Sequence, residues 1–345
     1  MHELEFPHFV DWAITRKCNL SCRHCRGMPE EELSTERAKT LIAEIAELKP
    51  GWVIIEGGEP LLRKDLFELL GLMQQRQLQV HLITNGMLLS PEMLAHLKQL
   101  GVKVMISIDG ATPETYEAIR NGASFRRVVQ SARNCAKEGL LEAINTTILK
   151  ANYTEIPGIL ELAQAIGVQR VTLIGLKPCE DYAEQLLSPQ EYREAIRLAC
   201  QAAQKTGDEF FFDEPFFWAI VKEEGLLARM PAVGTGILLP STTACIFGEY
   251  LFIEPNGEVK PCSFAPMILG NVNEKPISEI WHKVLGSPFF RQLKDPKTIT
   301  GYCRSCQYLA NCKGCRSRTF VLTGDWFSPD PCCPLSLKLA SKEEE

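Results

Sequence analysis

The sequence predicts an α/β protein: repeated strand–helix units forming a parallel sheet, favoured as a partial (βα)6 barrel with an open doubly wound sheet as the alternative, followed by a cysteine-rich C-terminal domain. Three observations predict this. Short runs rich in Val, Ile and Leu alternate with amphipathic stretches between residues 8 and 178, as strands buried on both faces between helices do. Strands separated by helices must cross over the sheet, which makes their pairing parallel. The cysteines ignore this rhythm, with three near the front and a second group from 245 onward.

The strands are expected at 8–15, 52–56, 79–84, 102–109, 141–149 and 168–176. Helices fill the gaps. Ser90-Pro91 and Thr112-Pro113 each set a capping hydroxyl before a proline at the first helical position. In 152–167, Ile156, Ile159, Leu160, Ala163 and Ile166 mark one apolar face and Gly167 supplies the stop. A further helix is expected over 188–206, then an irregular stretch to about 240. The expected domains are therefore a barrel core (1–180), a helical and irregular bridge (181–240), a cysteine-rich domain (241–335) and a solvated tail (336–345).

Composition sets the class. With 45% hydrophobic and 23% charged residues in 345, the chain has material for a sizeable core. A net charge of −6 argues against a broad nucleic-acid footprint. The N-terminus lacks a signal-peptide pattern, and no apolar run approaches the ~18 residues of a membrane span. A cytoplasmic location follows as the expectation, and there fourteen cysteines point to metal or redox chemistry rather than disulfides.

Cys18, Cys22 and Cys25 form Cys-x3-Cys-x2-Cys directly after the first strand. Three thiolates can hold three irons of one cubane, and no fourth cysteine is near, so one corner stays open. An open corner suits a catalytic site, as it does in zinc enzymes. After the second strand comes Gly57-Gly58-Glu59-Pro60. Paired glycines let a ligand reach the backbone, and the carbonyls with the Glu59 carboxylate could accept from an ammonium group.

Together these motifs resemble the radical SAM superfamily, whose pattern is Cys-x3-Cys-x-aromatic-Cys followed by a Gly-Gly-Glu loop. His24 holds the aromatic place here. The resemblance implies that the open iron chelates the amino and carboxylate groups of S-adenosylmethionine (SAM). A reduced [4Fe–4S] cluster then cleaves it, and the resulting 5′-deoxyadenosyl radical takes a substrate hydrogen. It also implies SAM contacts at the strand ends: Thr84, Asn85, Ser107 and Asp109, with Arg120 on the methionine carboxylate and Leu176 against adenine. A low-potential donor such as a ferredoxin or flavodoxin would supply the electron. Lys17, Arg23 and Arg26 are read chiefly as a solvated loop face.

The later cysteines run Cys245-x11-Gly257-x4-Cys262, then Cys303-x2-Cys306-x5-Cys312-x2-Cys315, and end in Cys332-Cys333. With the Asn256-Gly257 hairpin turn, they resemble the SPASM domain, which implies one or two auxiliary iron–sulfur clusters. By that resemblance Cys303, Cys306, Cys312 and one of Cys332 or Cys333 hold one cluster, and Cys245, Cys262 and Cys315 part of another. No extra cysteine sits shortly before Cys245 to complete that second set. Cys179, Cys200, a non-cysteine group or substrate remain open as its fourth ligand, and the cluster itself could be absent. A two-zinc ribbon is the alternative from spacing alone. Cys135, Cys179, Cys200 and one of Cys332/Cys333 otherwise read as buried small hydrophobes.

The C-terminus, with Arg316-x-Arg318 and an Asp330-Pro331-x-Cys333 ending, resembles SPASM enzymes that trim tetrapyrrole side chains in haem pathways. Cofactor maturases share these features. A small-molecule tetrapyrrole substrate is therefore expected. Modification of a ribosomally made peptide or protein side chain is the alternative, and only seventeen residues precede Cys18 to hold a leader-binding domain. A non-catalytic iron–sulfur or zinc module is the reading from another class; it gives the Gly57–Pro60 loop no task. The aromatic group Phe210, Phe211, Phe212, Phe216, Phe217 and Trp218 reads as core joining two domains, or as a stacking surface for a macrocycle. Asp213 and Glu214 within it read as surface or capping residues.

Overall fold

A computed structural model of the chain describes residues 5–27, 29, 31–168, 170–178, 182–207, 209–226, 245–336 and 338. Its strands are β1 (Phe9–Thr15), β2 (Trp52–Gly57), β3 (Val80–Thr84), β4 (Lys103–Ser107), β5 (Leu141–Ile148), β6 (Arg170–Gly175), β7 (Glu209–Asp213), β8 (Leu251–Ile253), β9 (Glu258–Lys260) and β10 (Gly270–Asn271). Its helices are α1 (Thr35–Glu47), α2 (Leu66–Gln75), α3 (Pro91–Gln99), α4 (Pro113–Ile119), α5 (Phe125–Lys137), α6 (Ile156–Ile166), α7 (Pro189–Thr206), α8 (Phe217–Glu223), α9 (Ile277–Gly286), α10 (Pro288–Lys294), α11 (Leu309–Cys312) and α12 (Arg316–Thr323). None of the described helices is long and apolar enough to cross a membrane.

Two compact units are present. The first contains 1–107, 122–142 and 247–290; the second contains 108–121, 143–246 and 291–345. In the first, β1 to β4 run parallel in sequence order. All seven residues of β1 are buried, as expected of a strand covered on both faces. On its other side β1 pairs in parallel with β8, Val10 opposite Leu251 and Trp12 opposite Ile253. This pairing corrects the linear boundary near 240. Left alone, β1 would expose a row of unpaired backbone groups, and the Leu251–Ile253 strand satisfies them. The β8–β9 hairpin turns at Asn256-Gly257, as expected, with Gly257 at φ +88°.

The second unit is built on β5, β6 and β7, all parallel. Strand β7 corrects the expectation of irregular chain after 206. Phe210 and Phe212 are buried on it, Phe216 and Phe217 are buried at the start of α8, and Trp218 is exposed, so most of the aromatic group is core. The expected caps are present: Ser90 and Thr112 accept from the amides of Met93 and Thr115, and Ser188 with Glu191 forms a capping box on α7. The five apolar residues read on one face of α6 are all buried, and Gly167 closes the helix at φ +95°.

Candidate functional site

The loop after β1 carries Cys18, Cys22 and Cys25, and the chain holds it from several sides. Thr15 Oγ1 donates to Glu32 at 2.7 Å and accepts from the Lys17 amide at 3.1 Å. The Arg16 amide donates to the same carboxylate at 3.2 Å. Buried Arg63 donates to the carbonyls of Ile14 at 2.6 Å and Leu33 at 3.1 Å. Cys18 and Cys25 are exposed and Cys22 half-buried; none is in a disulfide. The Cys25 amide bonds the Cys22 carbonyl at 3.2 Å, closing a tight turn. Three thiols outside any disulfide, on an anchored loop at a strand's carboxyl end, suit three irons of a cluster.

The Gly57-Gly58-Glu59 loop grips this cysteine loop. The Gly58 amide donates to the Thr15 carbonyl at 2.8 Å and the Glu59 amide to the Lys17 carbonyl at 2.7 Å. A Cβ at Gly57 would overlap the Thr15 carbonyl, and one at Gly58 would overlap the carbonyls of Arg16 and Lys17. The glycines are therefore required by the approach of two protein backbones. The Glu59 carboxylate is fully buried and accepts from Thr84 Oγ1 at 2.8 Å, the Asn85 amide at 2.8 Å and the Leu61 amide at 3.2 Å. It ties β2's loop to the end of β3.

Asn85 reaches the cysteine loop: its Nδ2 donates to Asn19 Oδ1 at 2.9 Å and lies 3.9 Å from Cys18 Sγ. Thr84 is buried and committed to Glu59, and Pro60 is buried at the start of a short 3-10 turn. Ser107 ends β4, 9% exposed. Arg26 is not a solvated cation. It pairs with Glu254 at 2.9 Å and Glu56 at 3.4 Å and lies over the Phe252 ring. Glu254 also takes Lys260 at 2.7 Å. Asp11 is buried beside this group; burial, then the Glu56 charge, pushes its carboxyl well above the usual carboxylate range.

In the second unit, Asp109 is fully buried. It accepts from Arg120 Nε at 2.6 Å and from the Thr147 amide at 2.8 Å. The pair fastens α4 to β5. Leu176 packs with Ile119, Leu149 and Tyr182 in a buried cluster.

Four thiols, Cys303, Cys306, Cys312 and Cys333, line one cavity together with Phe216, Leu309 and Leu335. Beside it lies a buried charge network that the sequence does not announce. Arg318, fully buried, donates to both oxygens of Glu214 at 2.7 Å and to Asp330 at 2.6 and 3.0 Å. Lys177 joins Glu214 at 2.9 Å, and the Tyr192 hydroxyl donates to it at 3.1 Å. Burial would raise the Glu214 and Asp330 carboxyls, but Arg318 outweighs it and holds both below their usual range. Glu214 was expected at the surface; its two cations reverse the cost of burying it. A Cβ at Gly175 would collide with the Glu214 carboxylate.

Cys135 and Cys200 sit buried on α5 and α7, where burial pushes both thiols up to about 12, as expected of packing residues. Cys179 and residues 227–244 of the bridge lie outside the described residues.

Residues 12–163 match the profile of the radical SAM superfamily, and 245–307 match that of the iron–sulfur cluster-binding SPASM domain. The AdoMet-dependent heme synthase of Methanosarcina barkeri is 33% identical over 95% of this chain and 96% of its own length. The chain belongs to the radical SAM superfamily. This enzyme therefore uses a [4Fe–4S] cluster with SAM, and its SPASM part binds auxiliary iron–sulfur clusters. The mycofactocin maturase of Mycobacterium ulcerans is 30% identical over 96% of this chain and 89% of its own. Among solved structures, Streptococcus suis SuiB superposes with a TM-score of 0.75 at 16% identity, covering 95% of this chain and 77% of that one. The protein anSMEcpe with bound AdoMet gives 0.72 at 18%, covering 97% and 98%. Both show the shared fold.

Proposed function

We propose that this radical SAM/SPASM enzyme reductively cleaves SAM at a cluster held by Cys18, Cys22 and Cys25 and acts on the side chains of an iron tetrapyrrole in haem formation. The observation that carries the substrate class is the end-to-end match to a heme synthase, 33% identical across 96% of that enzyme. The cluster, once bound and reduced, supplies the electron that breaks the sulfonium bond. The chain's own part is positional. Thr15, Glu32, Arg63 and the Gly58 and Glu59 amides fix the cysteine loop, and Asn85 stands beside Cys18. The closed auxiliary region keeps its charges paired within the protein.

A second reading, modification of a peptide, is favoured by the 30% identity to mycofactocin maturase. The test incubates the anaerobically reconstituted, reduced enzyme with SAM and iron-coproporphyrin III, the product named for a 29% identical Methanosarcina barkeri relative. Porphyrin conversion coupled to 5′-deoxyadenosine is the expected result. Porphyrin left unchanged, with deoxyadenosine formation stimulated only by a peptide, would transfer the assignment to the second reading.

A further inference from the structure

The tandem Cys332-Cys333 is divided by the fold. The Cys333 thiol lines the cavity of Cys303, Cys306 and Cys312; Cys332 is not among the residues around it. Cys332 is instead bound to the surroundings of Cys315. One buried carboxylate holds both backbones: Asp330 Oδ2 accepts from the Cys315 amide at 2.8 Å, and Oδ1 accepts from the Cys332 amide at 3.1 Å. Arg318 bridges the same two oxygens and fixes the carboxylate's plane. Lys177, Arg318 and Glu214 lie near both Cys315 and Cys332, and the Cys245 thiol lies near Cys315. Asp330 is a neighbour of Cys332 and Cys333 alike, whereas Cys303 and Cys306 are neighbours of Cys333.

Two cations beside these thiols suit a negatively charged thiolate cluster, and an outer carboxylate that orients ligand backbones is how such sites are held. The sequence pattern, meanwhile, lacks the cysteine that would precede Cys245. We propose that Cys332 supplies a thiolate to the auxiliary cluster of Cys245 and Cys315, while its neighbour Cys333 completes the set of Cys303, Cys306 and Cys312. The tandem is thus one residue for each cluster, and neither cysteine is a spare.

The proposal rests on the SPASM region holding two auxiliary clusters, and the test separates the two claims. In the full chain carrying Cys18→Ala, Cys22→Ala and Cys25→Ala, only auxiliary iron remains, about four atoms per [4Fe–4S] unit. Adding Cys332→Ser should remove about half of that iron. If serine retains the cluster, it should alter the same EPR component of the reduced protein that Cys315→Ser alters. The iron still held by the Cys303 set shows that this variant is folded. Combining Cys332→Ser with Cys315→Ser should cost no further iron, whereas combining it with Cys306→Ser should remove nearly all. Full iron with an unchanged spectrum in the Cys332→Ser protein overturns the proposal and leaves the SPASM reading intact. Losses that add between Cys315→Ser and Cys332→Ser also overturn it. No auxiliary iron in the parent protein overturns both.

Discussion

Replacing Arg318 with methionine tests the claim that one guanidinium organises the auxiliary region. The side chain is fully buried and makes four charge-assisted hydrogen bonds to Glu214 and Asp330, between 2.6 and 3.0 Å. Methionine fills similar space and removes the charge, leaving Glu214 with Lys177 and Asp330 with backbone amides only. The four bonds do not add, because they share one group. Breaking a buried pair from one side costs about 3–5 kcal/mol. In a chain of this size that corresponds to a melting shift on the order of 10 °C, measured on anaerobic, cluster-loaded protein. The pH dependence supplies an independent sign. Wild-type Glu214 and Asp330 have lowered values, so their stabilisation is present above the ordinary carboxylate range and lost as pH falls through the lowered values. Without Arg318 burial lifts both, and the variant recovers stability as pH falls from 8 toward 5. The gap to wild type should therefore narrow on acidification. A variant within about 1 kcal/mol of wild type, or a gap independent of pH, would refute the reasoning.

Other consequences follow from the same geometry. Gly58→Ala should displace the cysteine loop and abolish iron uptake at the Cys18 site, whereas Gly71→Ala on α2, where a Cβ meets nothing within 4 Å, should leave iron per chain unchanged. Glu59→Ala strands Thr84 and the Asn85 amide and should cost about 1–3 kcal/mol in denaturant unfolding; an unchanged midpoint would contradict its role as a tie. Asp11, with a raised value, gives a stability contribution present at low pH and lost as pH rises through that value. Asp11→Asn should therefore be as stable as wild type or more so at pH 8, and the advantage should vanish near pH 4.

The strand–helix rhythm was legible because β1 to β6 are short runs rich in apolar residues, β1 buried throughout, and because hydroxyl-proline pairs and Gly167 mark helix ends chemically. Strand β7 was not: Glu-Phe-Phe-Phe-Asp has no alternation, and an aromatic run reads equally as loop or core. The pairing of β8 with β1 joins residues some 240 positions apart, a separation that no local pattern encodes. Cys18, Cys22 and Cys25 announced themselves by spacing, but what surrounds them did not. Gly57, Gly58 and Glu59 were visible as a motif, yet their task is to hold a neighbouring loop. Asp109 with Arg120, and Glu214 with Lys177 and Arg318, are buried pairs whose members look like surface charges one at a time. The Arg-x-Arg and Asp-Pro-x-Cys pattern was the available signal for the last network, although sequence alone does not name the partners.

The central claim is that the loop after β1 carries the chemistry. It is tested most directly by 5′-deoxyadenosine formation from SAM in the anaerobically reconstituted, chemically reduced enzyme, comparing wild type with Cys22→Ala at matched auxiliary iron. Formation by the wild type and none above the no-enzyme background in the variant is the predicted result. Equal formation by the two proteins would contradict it.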